Sequence, residues 1–355
     1  MKKTIVLSFS IAGSSASDYF IRLSNRFAQE FKVVIVTDNI DKHSQLLNSD
    51  IQLHKWPSRR PTKFEDFRFL YRLLKAERPK LAISMFGSVN IFLICGWLLN
   101  IRNSVAWVRT LSTQFPQKRI MILRKRLVYK LSTLLIANSA ATKNDLIDVY
   151  KVAPKKITVL PNAVPNYYSA IETSGIDNDL IVYIGRLHQS KGVDVLLKAF
   201  AQVIADFPLA KLLIVGNGPE KNNLENLVQD LKLDSVTFLD FVPKQQVLKF
   251  FKSAYCSVIP SATEAFGFTV IEAMSMKTCV IGANNTGIKE IIVDGESGLQ
   301  FETGNFADLS EKIKRVFSDR NLRDSLAING YKRFCDLYEV DFAVERDFQY
   351  FKKLL

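Results

Sequence analysis

Cysteine is scarce in this sequence and never paired. Cys95, Cys256, Cys279 and Cys335 lie far apart and form no CxxC. That spacing argues against a disulfide scaffold and a zinc ribbon, and it points to a reducing compartment. Only three histidines occur, His43, His54 and His188, too scattered for a His-based metal site. Glycine (15) and proline (11) are few among 355 residues, and 48% of the chain is apolar. Collagen-like repeats and disorder are thereby excluded. Val215-Gly-Asn-Gly-Pro-Glu220 lacks the third glycine of a dinucleotide fingerprint.

The length instead suggests two folded domains. Their charge is uneven: residues 1–165 carry 27 Lys/Arg against 10 Asp/Glu, and residues 166–355 carry 21 against 25. A strongly basic half suits a polyanionic partner, either nucleic acid or an anionic membrane surface; a solvated basic face is the plain alternative.

Two segments have double readings. Residues 1–16 imitate a signal peptide, with a basic start, a short apolar stretch and small residues behind it. Ser8 and Ser10 interrupt that stretch, and the favoured reading is a strand over Lys3–Ser8, a Gly/Ser loop, a helix over Asp18–Glu30 and a second strand over Lys32–Thr37. Leu81–Ile101 has no charge over 21 residues, enough to span a bilayer. Gly87-Ser88 breaks it and Ser84, Asn90 and Asn100 dilute it, so a buried strand followed by a short buried helix is favoured.

Strands and helices then alternate along the whole chain. Val-, Ile- and Leu-rich runs without strict alternation, such as Ser104–Thr110, Thr133–Asn138, Leu180–Ile184, Lys211–Val215 and Cys256–Pro260, read as strands buried on both faces. Helices over Phe64–Lys75, Gln117–Ser132, Val193–Ala205 and Phe268–Met276 separate them. Pro161–Asp179 reads as a linker, after which the pattern restarts. The expected architecture is α/β, two Rossmann-like domains of parallel sheet facing an interdomain cleft, with domains over 1–165 and 166–335. A C-terminal helix over 336–355 is expected to pack back on the N-terminal domain. Ligands of such sheets bind at the carboxyl ends of the strands.

Three segments carry chemistry. In Tyr183-Ile-Gly-Arg-Leu-His-Gln-Ser-Lys-Gly192 a strand ends at Gly185, and Arg186 and Lys191 flank the loop before the next helix. Two cations there make a diphosphate clamp, although cations in a loop are often mere surface charge. Gly216 and Gly218 permit a tight strand-to-helix turn and close approach of a ligand. In Pro260–Met274, Glu264 precedes a helix and Glu272 lies eight residues on, within the apolar run Phe268–Met274. The backbone N–H groups of Phe266, Gly267, Phe268 and Thr269 at that helix start suit an anion. The glutamates suit sugar hydroxyls and a ribose diol, against the plainer readings of a capping acid and a solvated helix residue.

These residues together resemble the retaining GT-B glycosyltransferases of family 4, the group 1 glycosyltransferases. Glu264 and Glu272 stand as E-x7-E. Gly185-Arg186, Lys191-Gly192, Gly216/Gly218, Phe238–Val242, Leu160-Pro-Asn162 and Asn285-Thr-Gly-Ile288 occur in the expected order. The resemblance covers residues 156–335 and implies a nucleotide-sugar donor bound by the second domain and an acceptor bound by the first. It implies that Arg186 and Lys191 neutralise the diphosphate and that Glu264 acts with them at the reacting centre. Gly185, Gly216 and the backbone of residues 266–269 would line the donor, Glu272 would hold the ribose, and Phe241 and Val242 would meet the base. No metal or cofactor is implied.

The N-terminal half departs from the family. Its glycine-rich first loop survives only as Gly13-Ser-Ser-Ala16, and Val105–Thr110 stands where many members have a histidine. Arg109 is the acceptor-side candidate there, with a structural ion pair as its plain alternative. Over Gln117–Leu131, the cations Lys118, Arg119, Arg124, Lys125, Arg126 and Lys130 alternate with apolar residues. A basic amphipathic helix reads as membrane-binding, or as an ordinary surface helix packing its apolar stripe on the sheet.

The combined expectation is a metal-independent hexosyltransferase, peripheral at the cytoplasmic face of the membrane. A UDP-sugar is favoured over a GDP-sugar as donor. The acceptor is a lipid-linked intermediate, an oligosaccharide or growing surface polysaccharide, and no nucleic acid is bound. The alternatives are a nucleotide-sugar epimerase on the same architecture and a basic nucleic-acid-binding protein.

Overall fold

The computed structural model describes all residues except Met1, Gly13, Asp41, Arg59, Arg60, Phe115, Pro116, Gln117 and Thr286. The chain divides into two compact units, Met1–Pro165 with Val340–Leu355, and Asn166–Glu339.

The first unit is a parallel sheet wrapped by helices. Its elements are β1 (Thr4–Ser8), α1 (Ser15–Ala28), β2 (Lys32–Thr37), β3 (Gln52–Lys55), α2 (Phe64–Glu77), β4 (Leu81–Met85), α3 (Val89–Leu98), β5 (Asn103–Val108), α4 (Arg119–Lys130), β6 (Leu134–Ala137), α5 (Ala140–Asp148) and β7 (Ile157–Val159). The strand order is β3-β2-β1-β4-β5-β6-β7. β1 and β4 are buried along their whole length because neighbours pair on both edges and helices cover both faces. The N-terminal apolar stretch is thus a central strand. The uncharged stretch 81–101 divides into β4, a 3₁₀ turn over Phe86–Ser88 and α3. Among the described residues no helix is long and apolar enough to cross a membrane.

The helix Val340–Lys352 belongs to this first unit although most of the chain separates it from α1, on which it packs. Phe348 and Phe351, both fully buried, join Phe27 and Trp107 in one core. Around that apolar seam Arg26 meets Glu345 at 2.7 Å and Lys352 meets Glu30 at 2.7 Å. Inside it the Tyr19 hydroxyl donates to the buried carboxylate of Asp347, which also takes the guanidinium of Arg346 at 2.7 Å. Burial raises the Asp347 carboxyl above its ordinary range, against the lowering pull of Arg346.

The second unit repeats the architecture with β8 (Asp177–Ile184), α6 (Val193–Asp206), β9 (Lys211–Val215), α7 (Lys221–Asp230), β10 (Val236–Leu239), α8 (Lys244–Ser253), β11 (Ala254–Ile259), α9 (Phe268–Ser275), β12 (Cys279–Ala283), α10 (Ile288–Ile291), β13 (Leu299–Phe301), α11 (Phe306–Ser318) and α12 (Arg320–Leu337). Its parallel order is β10-β9-β8-β11-β12-β13. The order reverses at β8/β11, and at such a switch point the loops leaving two adjacent strands diverge and open a crevice at their carboxyl ends.

Phe348→Ala removes a fully buried ring from the first unit's core. It is expected to cost about 3–5 kcal/mol of unfolding free energy in urea titration; a loss near zero would mean that the C-terminal helix does not complete that core.

Candidate active site

The carboxyl ends of β8, β9, β11 and β12 bring together the cationic, acidic and glycine residues of the second unit. The loop after β8 is held by its neighbours. Gly185 N–H donates to the Val215 carbonyl at 2.9 Å and Leu187 N–H to the Asn217 carbonyl at 3.0 Å. Glycine is required here. A Cβ on Gly216, whose φ is +143°, would lie 1.9 Å from the Gly185 carbonyl oxygen, and one on Gly218 would lie 2.0 Å from that of Leu187. Gly192 sits against β11, where a Cβ would meet the Pro260 carbonyl at 2.3 Å. Three loops therefore interlock through contacts that no side chain permits.

Arg186 emerges exposed from this lattice, and its own carbonyl accepts a hydrogen bond from the Tyr183 hydroxyl at 3.0 Å. Burial, reinforced by the nearby Glu264 charge, pushes the Tyr183 phenol up, so it stays a neutral donor at physiological pH. His188 caps the short turn Gln189–Lys191, its Nδ1 accepting from the Ser190 N–H at 3.2 Å. Lys191 projects from that turn to form an ion pair with Glu264. The sequence predicts both as site residues; the fold puts them in direct contact, though 73 residues separate them.

The loop after β11 is clamped from two sides. The Ala262 N–H donates to the Ser190 carbonyl at 2.8 Å, joining it to the β8 loop. Asn285 donates to the Ser261 carbonyl and Gly287 N–H to the Glu264 carbonyl at 3.0 Å, joining it to the β12 loop. Gly267, at φ +113°, starts α9, so Phe268 and Thr269 form its first turn and Glu272 stands half-buried farther along it. Phe266 is buried, its ring 5.8 Å from that of Tyr338, so only its backbone is available to a ligand. Phe241 is 87% exposed just beyond β10, with Val242 behind it. Asp240, which Lys221 (2.8 Å) and Asn217 (2.9 Å) hold, tethers that strand end to the β9 loop.

Other expected residues fall elsewhere. Gly13 lies outside the described residues, as does Thr286 of the quoted 285–288 run. Arg109 is in the first unit, 9% exposed at the end of β5, with its guanidinium 5.1 Å from the Phe20 ring. Burial draws its pKa down to about 10. On α4 the apolar residues divide: Val128 and Tyr129 are buried against the sheet, with Ile122 and Leu131 partly packed beside them, while Ile120 is 71% exposed and Met121, Leu123 and Leu127 are exposed with it. Lys118 and Arg119 are exposed beside them, and Arg126 donates to the Val149 carbonyl at 3.2 Å. Neighbouring α3 also presents Trp97 (61%) and Leu98 to solvent. Among the described residues no group of three His, Cys, Asp or Glu stands close enough to hold a metal ion.

Tyr183, Gly192 and Gly287 have positioning roles the sequence did not disclose. A Cβ on Gly287 would lie 2.7 Å from the Glu264 carbonyl oxygen and from both N and O of Phe266. A lone glycine in a loop carries no signal of that closeness.

The family described as "Glycosyl transferases group 1" matches residues 169–333, and "Glycosyltransferase Family 4" matches residues 16–166. The capsular polysaccharide biosynthesis glycosyltransferase CapM of Staphylococcus aureus is 27% identical over 60% of this chain and 60% of its own length. An uncharacterized glycosyltransferase of Methanocaldococcus jannaschii is 27% identical over 79% of this chain and 75% of its own. The matched region thus spans under two thirds of CapM. In fold, the chain is similar to Anabaena HepE in a crystal structure with UDP, with a TM-score of 0.81, 16% identity and coverage of 99% and 100%.

Gly287→Ala is expected to displace the 264–266 backbone and cost about 1–3 kcal/mol of unfolding free energy, as overpacking does. Urea titration checks this, and an unchanged unfolding free energy would remove Gly287 from the support of the site. The two family matches, the GT-B architecture and the motif geometry agree, and the chain belongs to the group 1, family 4 glycosyltransferases.

Proposed function

We propose that this chain is a retaining, metal-independent hexosyltransferase. It moves a sugar from a UDP-sugar to a hydroxyl of a lipid-linked or growing surface-polysaccharide acceptor, working peripherally at the cytoplasmic membrane face. The observation that carries this is the meeting of Lys191 with Glu264 ahead of the start of α9, with Arg186 exposed on the same β8 loop as Lys191. In that reading the donor diphosphate takes the place of Glu264 as partner of Lys191, and Arg186 and the α9 N-terminus take the rest of its charge. Cations aimed where negative charge grows on the leaving phosphate do the work otherwise given to a metal. Glu264, released from Lys191, binds the transferred sugar, Glu272 binds the ribose, and the backbone at Phe241 and Val242 meets the base. With no carboxylate assigned as a covalent nucleophile, the acceptor hydroxyl attacks from the leaving-group side and passes its proton to the departing phosphate.

UDP is favoured because HepE, of the same fold, was solved with it. A polysaccharide acceptor is favoured by the likeness to CapM, named for capsular polysaccharide biosynthesis. Membrane attachment is supported by α4 and α3, where bare apolar side chains stand among cations. Each such cation adds about 1 kcal/mol near an anionic surface.

Thermal unfolding with UDP, GDP or ADP tests the donor reading. A nucleotide at about 100 times its Kd stabilises by about 2.7 kcal/mol. UDP is expected to give the shift without metal, and no shift with any of the three would overturn a nucleotide-sugar enzyme. Arg186→Ala is expected to stay folded and lose about 10²–10³ in turnover; near-normal turnover removes Arg186 from the mechanism. Ile120→Glu with Leu127→Glu, both at exposed positions, is expected to leave the unfolding midpoint in place and to abolish flotation with anionic liposomes. Undiminished flotation sinks the α4 membrane face.

A further inference from the structure

A cavity of about 340 Å³ opens in the first unit at the carboxyl ends of β4 and β5, walled on one side by α4. Its charged lining is Arg109, Arg124 and Lys125, and among the described residues no carboxylate lines it. Three cations and, among the described residues, no carboxylate around one space make a positive potential there that suits an anionic ligand. Burial lowers the pKa of Arg109 to about 10 and also lowers that of Lys125, which Asp145 opposes and Arg124 reinforces. Arg109 is held in place by aromatic faces, Phe20 at 5.1 Å and Phe86 at 5.9 Å from its guanidinium carbon. Tyr129 adds a hydroxyl to the lining, kept protonated by burial.

Phe86 is the second observation. It has φ +53°, a left-handed conformation that a bulky side chain adopts only under constraint, yet its ring is more than half exposed. In that pose it stands between this cavity and a neighbouring one of about 340 Å³, sharing Thr62 and Gly87 with both. The neighbour is different in chemistry. It presents Ser8, Ser10 and Asp38 from the ends of β1 and β2, with the Ser10 hydroxyl 3.1 Å from the Asp38 carboxylate. A carboxylate among hydroxyls accepts hydrogen bonds from a polyol; a ring of cations takes a phosphate. The two cavities side by side fit a ligand with both parts.

We propose that the acceptor is a phosphorylated saccharide, its phosphoryl group seated by Arg109, Arg124 and Lys125 and its hydroxyl-bearing part reaching the cavity beside Asp38; this presupposes the glycosyl transfer proposed for the chain. Arg124 and Lys125 then serve a ligand site, and the membrane-facing role rests with the outward residues of α4. The phosphoryl group belongs either to a lipid-linked diphosphate or to a soluble sugar phosphate.

The test is calorimetric titration of the full chain, first with UDP and then, at saturating UDP, with inorganic pyrophosphate. Prior filling with UDP keeps pyrophosphate from the Arg186/Lys191 clamp. Pyrophosphate is expected to bind, and Arg124→Gln, Lys125→Gln and Arg109→Gln are each expected to weaken it at least about tenfold. Arg124 is exposed, so its variant stays informative if the Arg109 variant fails to fold. Absence of binding at millimolar pyrophosphate, or equal affinity in the variants, overturns the anion site. Failure of UDP to bind in the first titration instead sinks the transferase reading. Competition by glucose 1-phosphate supports a soluble sugar phosphate, and competition by micellar farnesyl diphosphate alone supports a lipid-linked acceptor. Competition by neither overturns the acceptor role.

Discussion

The absence of a Cβ at Gly216 and Gly218 is the constraint on which the second unit's site depends. Those two residues let the β9 loop lie against the carbonyls of Gly185 and Leu187, closer than any side chain allows. With the β8 loop pinned there, Lys191 reaches the β11 loop and meets Glu264. Gly192 and Gly287 extend the same logic to Pro260 and to the Glu264–Phe266 backbone. The charged side chains of the candidate site are thus aimed by residues with none. Precision comes from backbone against backbone, which is stiffer than long Arg or Lys chains oriented by surface contacts alone.

The first unit uses another strategy. Its cavity is shaped by side chains: Arg109 lies between aromatic rings, and Phe86 is locked in a left-handed turn at the end of β4. The second unit's scaffold follows a widespread pattern of strand-end loops. One architecture thus builds its strand-end spaces in two ways, and what each site does depends on its own side chains rather than on the shared fold.

Much of this was legible in the sequence, for identifiable reasons. Strands such as β1, β4 and β11 are buried on both faces, so their apolar runs stand out without alternation. The unbroken charge-free stretch 81–101 was separable into strand and helix because Gly87-Ser88 punctuates it. Glu264, Lys191 and Arg186 were legible because local motifs carry them. What stayed hidden is long-range. The Lys191–Glu264 contact depends on strand order, and the crowding at Gly287 depends on the loop that leaves the adjacent strand β11. Exposure of Ile120, Met121, Leu123 and Leu127 could not be read from α4 itself, because an apolar stripe looks the same whether it faces a sheet or solvent. Only the partner surface decides, and here the sheet takes Val128 and Tyr129 instead.

The helix Val340–Lys352 has a consequence for how the protein is made. Its Phe348 and Phe351 complete the core built by Phe27 and Trp107, yet the ribosome emits them after the entire second unit. The inserted unit can close its own core during translation, while the first unit waits with an apolar seam open along α1. Domains generally fold as they emerge, N-terminal first; here the N-terminal core is begun first and finished last. For most of synthesis, that seam is the surface a chaperone would recognise.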